Sequence, residues 1–149
     1  MALDVIAGPG ADVDEPDWEL LIPEREDGLE EKLRMMAHRE WVRISSELRD
    51  SQTLSPVNRH AMQRLVLAYL RYDMAAAMVM KFGAVVAAKR TKVPQLNLWQ
   101  TEMRAADADA TGAEMELCLN PRRRGAATKV QRKAKRVTAA DSYLKRTGG

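Results

Sequence analysis

The sequence has a single cysteine, Cys118, and few aromatic residues. One cysteine cannot form a disulfide within the chain, so a reducing compartment, the cytoplasm, is expected. No apolar run approaches the roughly 20 residues needed to cross a bilayer. The first ten residues also lack the basic and long apolar segments of a signal peptide. We therefore expect a cytoplasmic protein that does not contact a membrane.

Common catalytic motifs are also missing: the phosphate-binding loop, the Gly-x-Ser-x-Gly elbow, the His-Glu-x-x-His pair and Cys-x-x-Cys. The two histidines, His38 and His60, are remote from each other in sequence, and each is interpreted as a partly exposed helix residue. A metal site would have no cluster of ligands to start from. The sequence therefore predicts a protein that is not an enzyme and uses no cofactor or metal.

Charge is distributed very unevenly along the chain. Residues 1–31 carry eleven acidic side chains and one basic one, whereas residues 120–149 carry ten basic side chains and one acidic one. The net charge of +3 conceals this separation. The separation of charge divides the chain into an acidic extended arm (1–27), a core (28–121) and a basic tail (122–149). We expect the tail to be disordered until it meets an anion. Within the arm, an apolar cluster at residues 18–22 is expected either to dock or to remain in water.

The core is predicted to be all-α, a helical hairpin of three main helices. The first begins near Gly28, with Asp27 as a cap, and ends near Asp50; its apolar residues recur every three or four positions, as in an amphipathic helix. The second begins at Ser55-Pro56, with the Ser55 hydroxyl as a cap, and stops at Gly83. The third begins at Asn97 and ends at Asn120-Pro121. Residues 84–94 fit either an extended connector or a continued helix.

The second helix carries more apolar surface than its own chain can cover. Residues 74–80 are apolar on all sides, which in so short a chain indicates a neighbouring subunit. We expect a homo-oligomer whose subunit contacts include Trp41, Tyr69, Tyr72, Met74 and Met78.

The basic tail predicts a nucleic-acid partner, because each cation that neutralises a phosphate releases a counterion and adds affinity without reading the sequence. A solubilising tail, or one that pairs with the acidic arm of another subunit, is the alternative. The arm could mimic nucleic acid, cover a basic surface, or simply be solvated. The candidate double-stranded-DNA contacts are Arg122, Arg123, Arg124, Lys129, Arg132, Lys133, Lys135 and Arg136.

A second basic surface could form from Arg59, Arg64 and Arg71 with the Lys89-Arg90-Thr91-Lys92 segment. The alternative is that these cations are only the solvated face of a helix. The spacing at residues 51–55 does not match a helix-turn-helix, so recognition of bases in a DNA groove has no support.

Four stretches, taken in order, carry a family resemblance. Residues 37–48 contain a Trp and a trailing Glu-Leu; residues 54–72 contain a Leu-x3-Tyr-x2-Tyr run; residues 83–86 contain Gly-x-Val; residues 116–124 are similar to Glu-Leu-Gly-Leu, a polar residue, Pro and a nearby Arg. Together they resemble the small subunit of phage terminase, in the branch found in long-tailed phages. Two positions depart from that pattern. Leu98 follows Asn97 where the family often has Pro, and Cys118 stands where it tends to have Gly, which favours a helix end built differently.

The resemblance implies a helical protein that forms a ring of several subunits, binds viral DNA to start genome packaging, and delivers the DNA to a large subunit with ATPase and nuclease activities. This chain would then be the non-catalytic partner. The alternative function is a dimeric helical DNA-binding transcriptional regulator or a chromosome-associated protein.

Overall fold

A computed structural model describes residues 13–120. Four α-helices and one pair of short strands follow in the order α1 (Trp18–Leu21), α2 (Glu30–Asp50), α3 (Arg59–Phe82), β1 (Val85–Ala87), β2 (Pro94–Leu96) and α4 (Leu98–Glu116). The helical core of three main helices is confirmed. The β-hairpin is a correction to the all-α expectation. The predicted arm is also not extended throughout, because α1 is one helical turn.

Helix α2 begins at Glu30, two residues after the predicted start near Gly28, and its cap residue is Leu29, which makes no side-chain capping hydrogen bond. Gly28 has a left-handed backbone with φ of 64°, so Asp27 lies before the cap. The Asp27 carboxylate accepts a hydrogen bond from the Leu29 amide at 3.2 Å, and two acidic residues occupy the first turn, where the helix dipole favours negative charge. A hydrogen bond from Arg25 is the main cause that lowers the pKa of Asp27 to about 2. The helix is amphipathic, and its buried face is formed by Leu33, Ala37, Trp41, Ile44, Ser45 and Leu48.

The start of α3 differs from the prediction in one respect. Ser55 has the extended backbone of a cap, but its side chain makes no capping hydrogen bond. A 3-10 turn, Pro56–Asn58, precedes the helix instead, and the Asn58 side chain donates to the Thr53 carbonyl at 2.8 Å. The other end is as predicted: α3 stops at Gly83, whose φ of 86° is readily accessible only to glycine.

Residues 84–97 form an antiparallel hairpin at the end of α3. Val85 pairs with Leu96 and Ala87 with Pro94, so the extended alternative for this segment is the correct one. The Asn97 side chain holds the hairpin to both helices: it donates to the Gly83 carbonyl at 2.8 Å and accepts from the Trp99 amide at 3.1 Å. The predicted cap of the last helix is thereby confirmed.

Helices α3 and α4 run antiparallel on either side of this hairpin. Arg64 near the start of α3 forms an ion pair with Glu116 at the end of α4, whereas Asn97 at the start of α4 contacts Gly83 at the end of α3. Small side chains let the helix backbones approach closely, and buried alanines lie on both helices: Ala61, Ala68, Ala75, Ala106, Ala110 and Ala113.

Helix α2 packs only against the end of the α3–α4 pair that lies opposite the β-hairpin. The largest fully buried side chains come from α2 and from the first half of α3: Ile44, Leu48, Met62, Leu65 and Val66. Full burial of one such side chain contributes about 1.5–3 kcal/mol. The half of the α3–α4 pair that carries the β-hairpin lies outside this core.

The end of α4 corrects the expectation for Cys118. The helix ends at Glu116 rather than at Asn120, and Cys118 adopts the left-handed conformation with φ of 54°. The Leu119 amide then donates to the Glu114 carbonyl at 3.0 Å, the hydrogen bond of a Schellman motif. The cysteine thus occupies the position that glycine usually fills, and the helix end keeps the usual form.

Candidate interaction surfaces

The predicted DNA contacts of the tail, Arg122 to Arg136, lie outside the described residues. Their assignment therefore stays a prediction from the sequence. The second basic surface lies on α3 and the β-hairpin, within the described residues, and the contacts of its α3 arginines bear on its two interpretations.

The arginines of α3 are engaged within the chain. Arg71 forms ion pairs with Glu102 and Asp109 of α4, both at 2.8 Å, and Arg64 reaches Glu116 at 2.6 Å. Arg59 donates to the Asp14 carbonyl at 3.1 Å. These exposed pairs contribute little stability each, but they direct the cations toward partners in the fold. The α3 part of the predicted basic surface is thus the polar face of a helix.

Two of the predicted subunit contacts are engaged by other residues of the same chain. Trp41 is only 4% exposed, with its ring 6.1 Å from that of Trp18 in an edge-to-face arrangement. A second subunit would reach Trp41 only after the arm had moved away. The Tyr69 hydroxyl donates to Glu114 at 2.5 Å, and the Arg43 guanidinium lies over its ring. Burial, followed by the Glu114 hydrogen bond, raises the pKa of Tyr69 to about 12.

The other three predicted contacts lie at or near the surface of α3. Tyr72 is exposed, and Met74 and Met78 are half-buried. These positions are available to a second subunit, and their role in subunit contact stays a prediction.

A larger apolar surface lies at the free end of the α3–α4 pair. We call this surface the apolar tip. Half of the exposed large apolar side chains among residues 13–120 fall within twenty consecutive residues there, so they are concentrated rather than scattered. The members of the apolar tip are Met80, Phe82, Val85, Val93, Leu96, Leu98 and Trp99. Of residues 74–80, where the sequence indicates an apolar excess, Met80 belongs to the apolar tip.

The described part of the acidic arm, residues 13–27, docks on α2. Trp18 is buried against Trp41, and its indole N–H donates to Glu15. The same carboxylate lies 2.9 Å from the His38 ring nitrogen Nδ1. Arg34 donates to the Ile22 carbonyl at 2.9 Å. Of the two alternatives for the apolar cluster of the arm, docking is the one observed.

Replacing Trp18 with Ala is expected to lower the free energy of unfolding by about 3 kcal/mol, because a large buried aromatic leaves a cavity over Trp41. Leu20→Ala, in the same helical turn but 78% exposed, is the matched control and should stay within about 0.5 kcal/mol of the parent. Urea denaturation measures both. Equal effects of the two substitutions would contradict docking of the arm through Trp18.

Residues 13–120 hold no group of three or more His, Cys, Asp or Glu side chains arranged to bind a metal ion. His38 and His60 are both exposed on helices, as predicted. In this part of the chain, every helix is too short or too polar to span a bilayer.

These surfaces belong to a small, mostly helical protein, with a core at one end of a helical hairpin and exposed apolar and basic side chains at the other. Residues 37–134 match the model of the family described as phage terminase, small subunit. The match covers about two thirds of the chain, and the protein belongs to this family, whose members serve phage genome packaging. No curated protein and no solved structure matches the chain.

Proposed function

We propose that this chain is the DNA-binding, non-catalytic subunit of a phage terminase. It would assemble into a ring-like homo-oligomer, bind double-stranded viral DNA and hand that DNA to the large ATPase and nuclease subunit. The observation that carries the proposal is the family match over residues 37–134, which includes α3, the hairpin and α4.

The apolar tip supports self-association. An exposed apolar surface of this kind usually marks a contact with another protein, and a closed ring would repeat one contact between neighbouring subunits. Tyr72, Met74 and Met78 lie on α3 beside the tip and would extend the contact. The strongly basic tail supports DNA as the partner. Each subunit of an oligomer would contribute one tail, so that weak phosphate contacts act together.

Light scattering and a DNA-binding titration of the full chain test the proposal. The expected result is an oligomer of defined mass well above the 16.7 kDa of one chain, with DNA affinity that falls steeply as salt rises. A stable monomer at micromolar concentration, or no DNA binding at low salt, would reject it. Footprinting separates the regulator alternative, which should protect a short symmetric pair of half-sites.

A further inference from the structure

The sequence segment that forms the β-hairpin and the adjoining helix ends contains no acidic residue. From Met74 to Thr101 the sequence has four cations and neither Asp nor Glu. Three of these cations, Lys89, Arg90 and Lys92, lie in the hairpin loop, and all three are exposed. The local potential there is therefore positive and has no neighbouring carboxylate in the sequence to cancel it.

The loop cations also lack partners within the fold. Among residues 13–120, no hydrogen bond or ion pair involves the side chains of Lys89, Arg90 or Lys92. This contrasts with Arg64 and Arg71 of α3, whose guanidinium groups are held by carboxylates of α4. Cations already paired with carboxylates must break those contacts to bind a phosphate, whereas the loop cations need only release counterions.

Backbone hydrogen bonds define the conformation of the loop that carries these side chains. The Ala88 amide donates to the Val93 carbonyl and the Lys92 amide donates to the Ala88 carbonyl, both at 2.9 Å, which closes a loop of residues 89–92. Lys92 has a φ of 58°, a left-handed conformation that costs a lysine about 1–2 kcal/mol and suits Gly or Asn better. Because lysine is disfavoured in this conformation, backbone preference does not explain why lysine occupies this position.

We propose that Lys89, Arg90 and Lys92 form a second DNA contact, which binds backbone phosphates of double-stranded DNA separately from the basic tail. This contact rests on the proposed function, since both require DNA as the partner. The acidic arm of another copy is a weaker candidate, because two of its described carboxylates are already paired within the chain: Glu15 with His38 and Trp18, and Asp27 with Arg25. Subunits that meet through the apolar tip would bring their basic loops close together.

The test is a titration of the full chain with a duplex of about 30 base pairs across a salt series. Lys89→Gln/Arg90→Gln removes two loop cations and leaves the left-handed residue unchanged. Lys32→Gln/Arg39→Gln is the matched control: it also removes one Lys and one Arg, both exposed on α2. Loss of two phosphate contacts should flatten the slope of log affinity against log salt by about 1.8, and the control should keep the parent slope.

A third variant adds Lys92→Asn to the loop pair. Asparagine tolerates the left-handed backbone, so the hairpin should fold, and the slope should flatten by about 0.9 more. Circular dichroism and light scattering verify that fold and mass match the parent. If the parent binds DNA and the loop variants keep the parent's salt slope, the loop contact is overturned and the proposed function stands. This holds even if a variant loses binding to the large subunit or to another copy. A parent that does not bind DNA overturns both.

Discussion

Deletion of residues 122–149 is expected to lower the affinity for double-stranded DNA on the order of a hundredfold at 0.1 M salt. The deletion removes ten cations and one acidic residue. Because each phosphate contact contributes about 0.9 to the slope of log affinity against log salt, the slope should lose more than half of its value. Fluorescence anisotropy with a labelled duplex measures both quantities.

A chain whose tail residues 125–149 are shuffled is the matched control for this deletion. Shuffling keeps length and charge, and binding through counterion release does not depend on the order of residues, so the affinity should stay within a few-fold of the parent. If the deletion leaves affinity and slope unchanged, the tail is not the DNA contact. If it instead changes the mass of the oligomer without affecting DNA binding, the pairing of tail and acidic arm between subunits is the correct alternative.

Replacing Met80 with Glu is expected to convert the oligomer to a monomer of 16.7 kDa at micromolar concentration. Met80 is 87% exposed at the apolar tip, so the substitution leaves the core of the chain intact. A carboxylate buried in an apolar subunit contact without a partner costs several kcal/mol, which weakens association by a hundredfold or more. Light scattering over a concentration series measures the mass.

Val57→Glu is the matched control for this substitution. Val57 is also an exposed apolar residue, 89% accessible, but lies in the 3-10 turn before α3, away from the apolar tip. We expect the Val57 variant to keep the mass of the parent. An oligomer that survives Met80→Glu but dissociates with Val57→Glu would move the subunit contact to the α2–α3 junction and refute the assignment of the tip.

The helices were predictable because local signals define them. Gly83 and Asn97 mark ends that the structure confirms, and each acts through contacts or backbone preferences within a few residues. Asp27 predicted the start of α2 two residues too early. The β-hairpin was not predictable in the same way. Its strands are only three residues long, and five of their six residues are exposed. Residues 84–96 therefore show neither the alternation of a half-buried strand nor a recognisable two-residue turn.

The candidate surfaces were harder to predict than the helices, since they depend on distant pairings. Nothing near Arg71 in sequence indicates that α4 supplies its carboxylates, and nothing near Trp41 indicates that Trp18 covers it. Cys118 shows the opposite error: a local preference against left-handed cysteine was outweighed by the hydrogen bonds that end α4. Intrinsic preference is a weak guide wherever tertiary contacts compete with it.

The placement of the three tryptophans gives the chain two intrinsic optical reporters. Trp18 of the docked arm packs against Trp41 of α2, whereas Trp99 is 38% exposed at the apolar tip, at the opposite end of the α3–α4 pair. Indole emission shifts with solvation, and a water-soluble quencher reaches only accessible rings. Quenching of Trp99 would therefore follow subunit association, and emission from the buried pair would follow release of the arm, in one unlabelled sample.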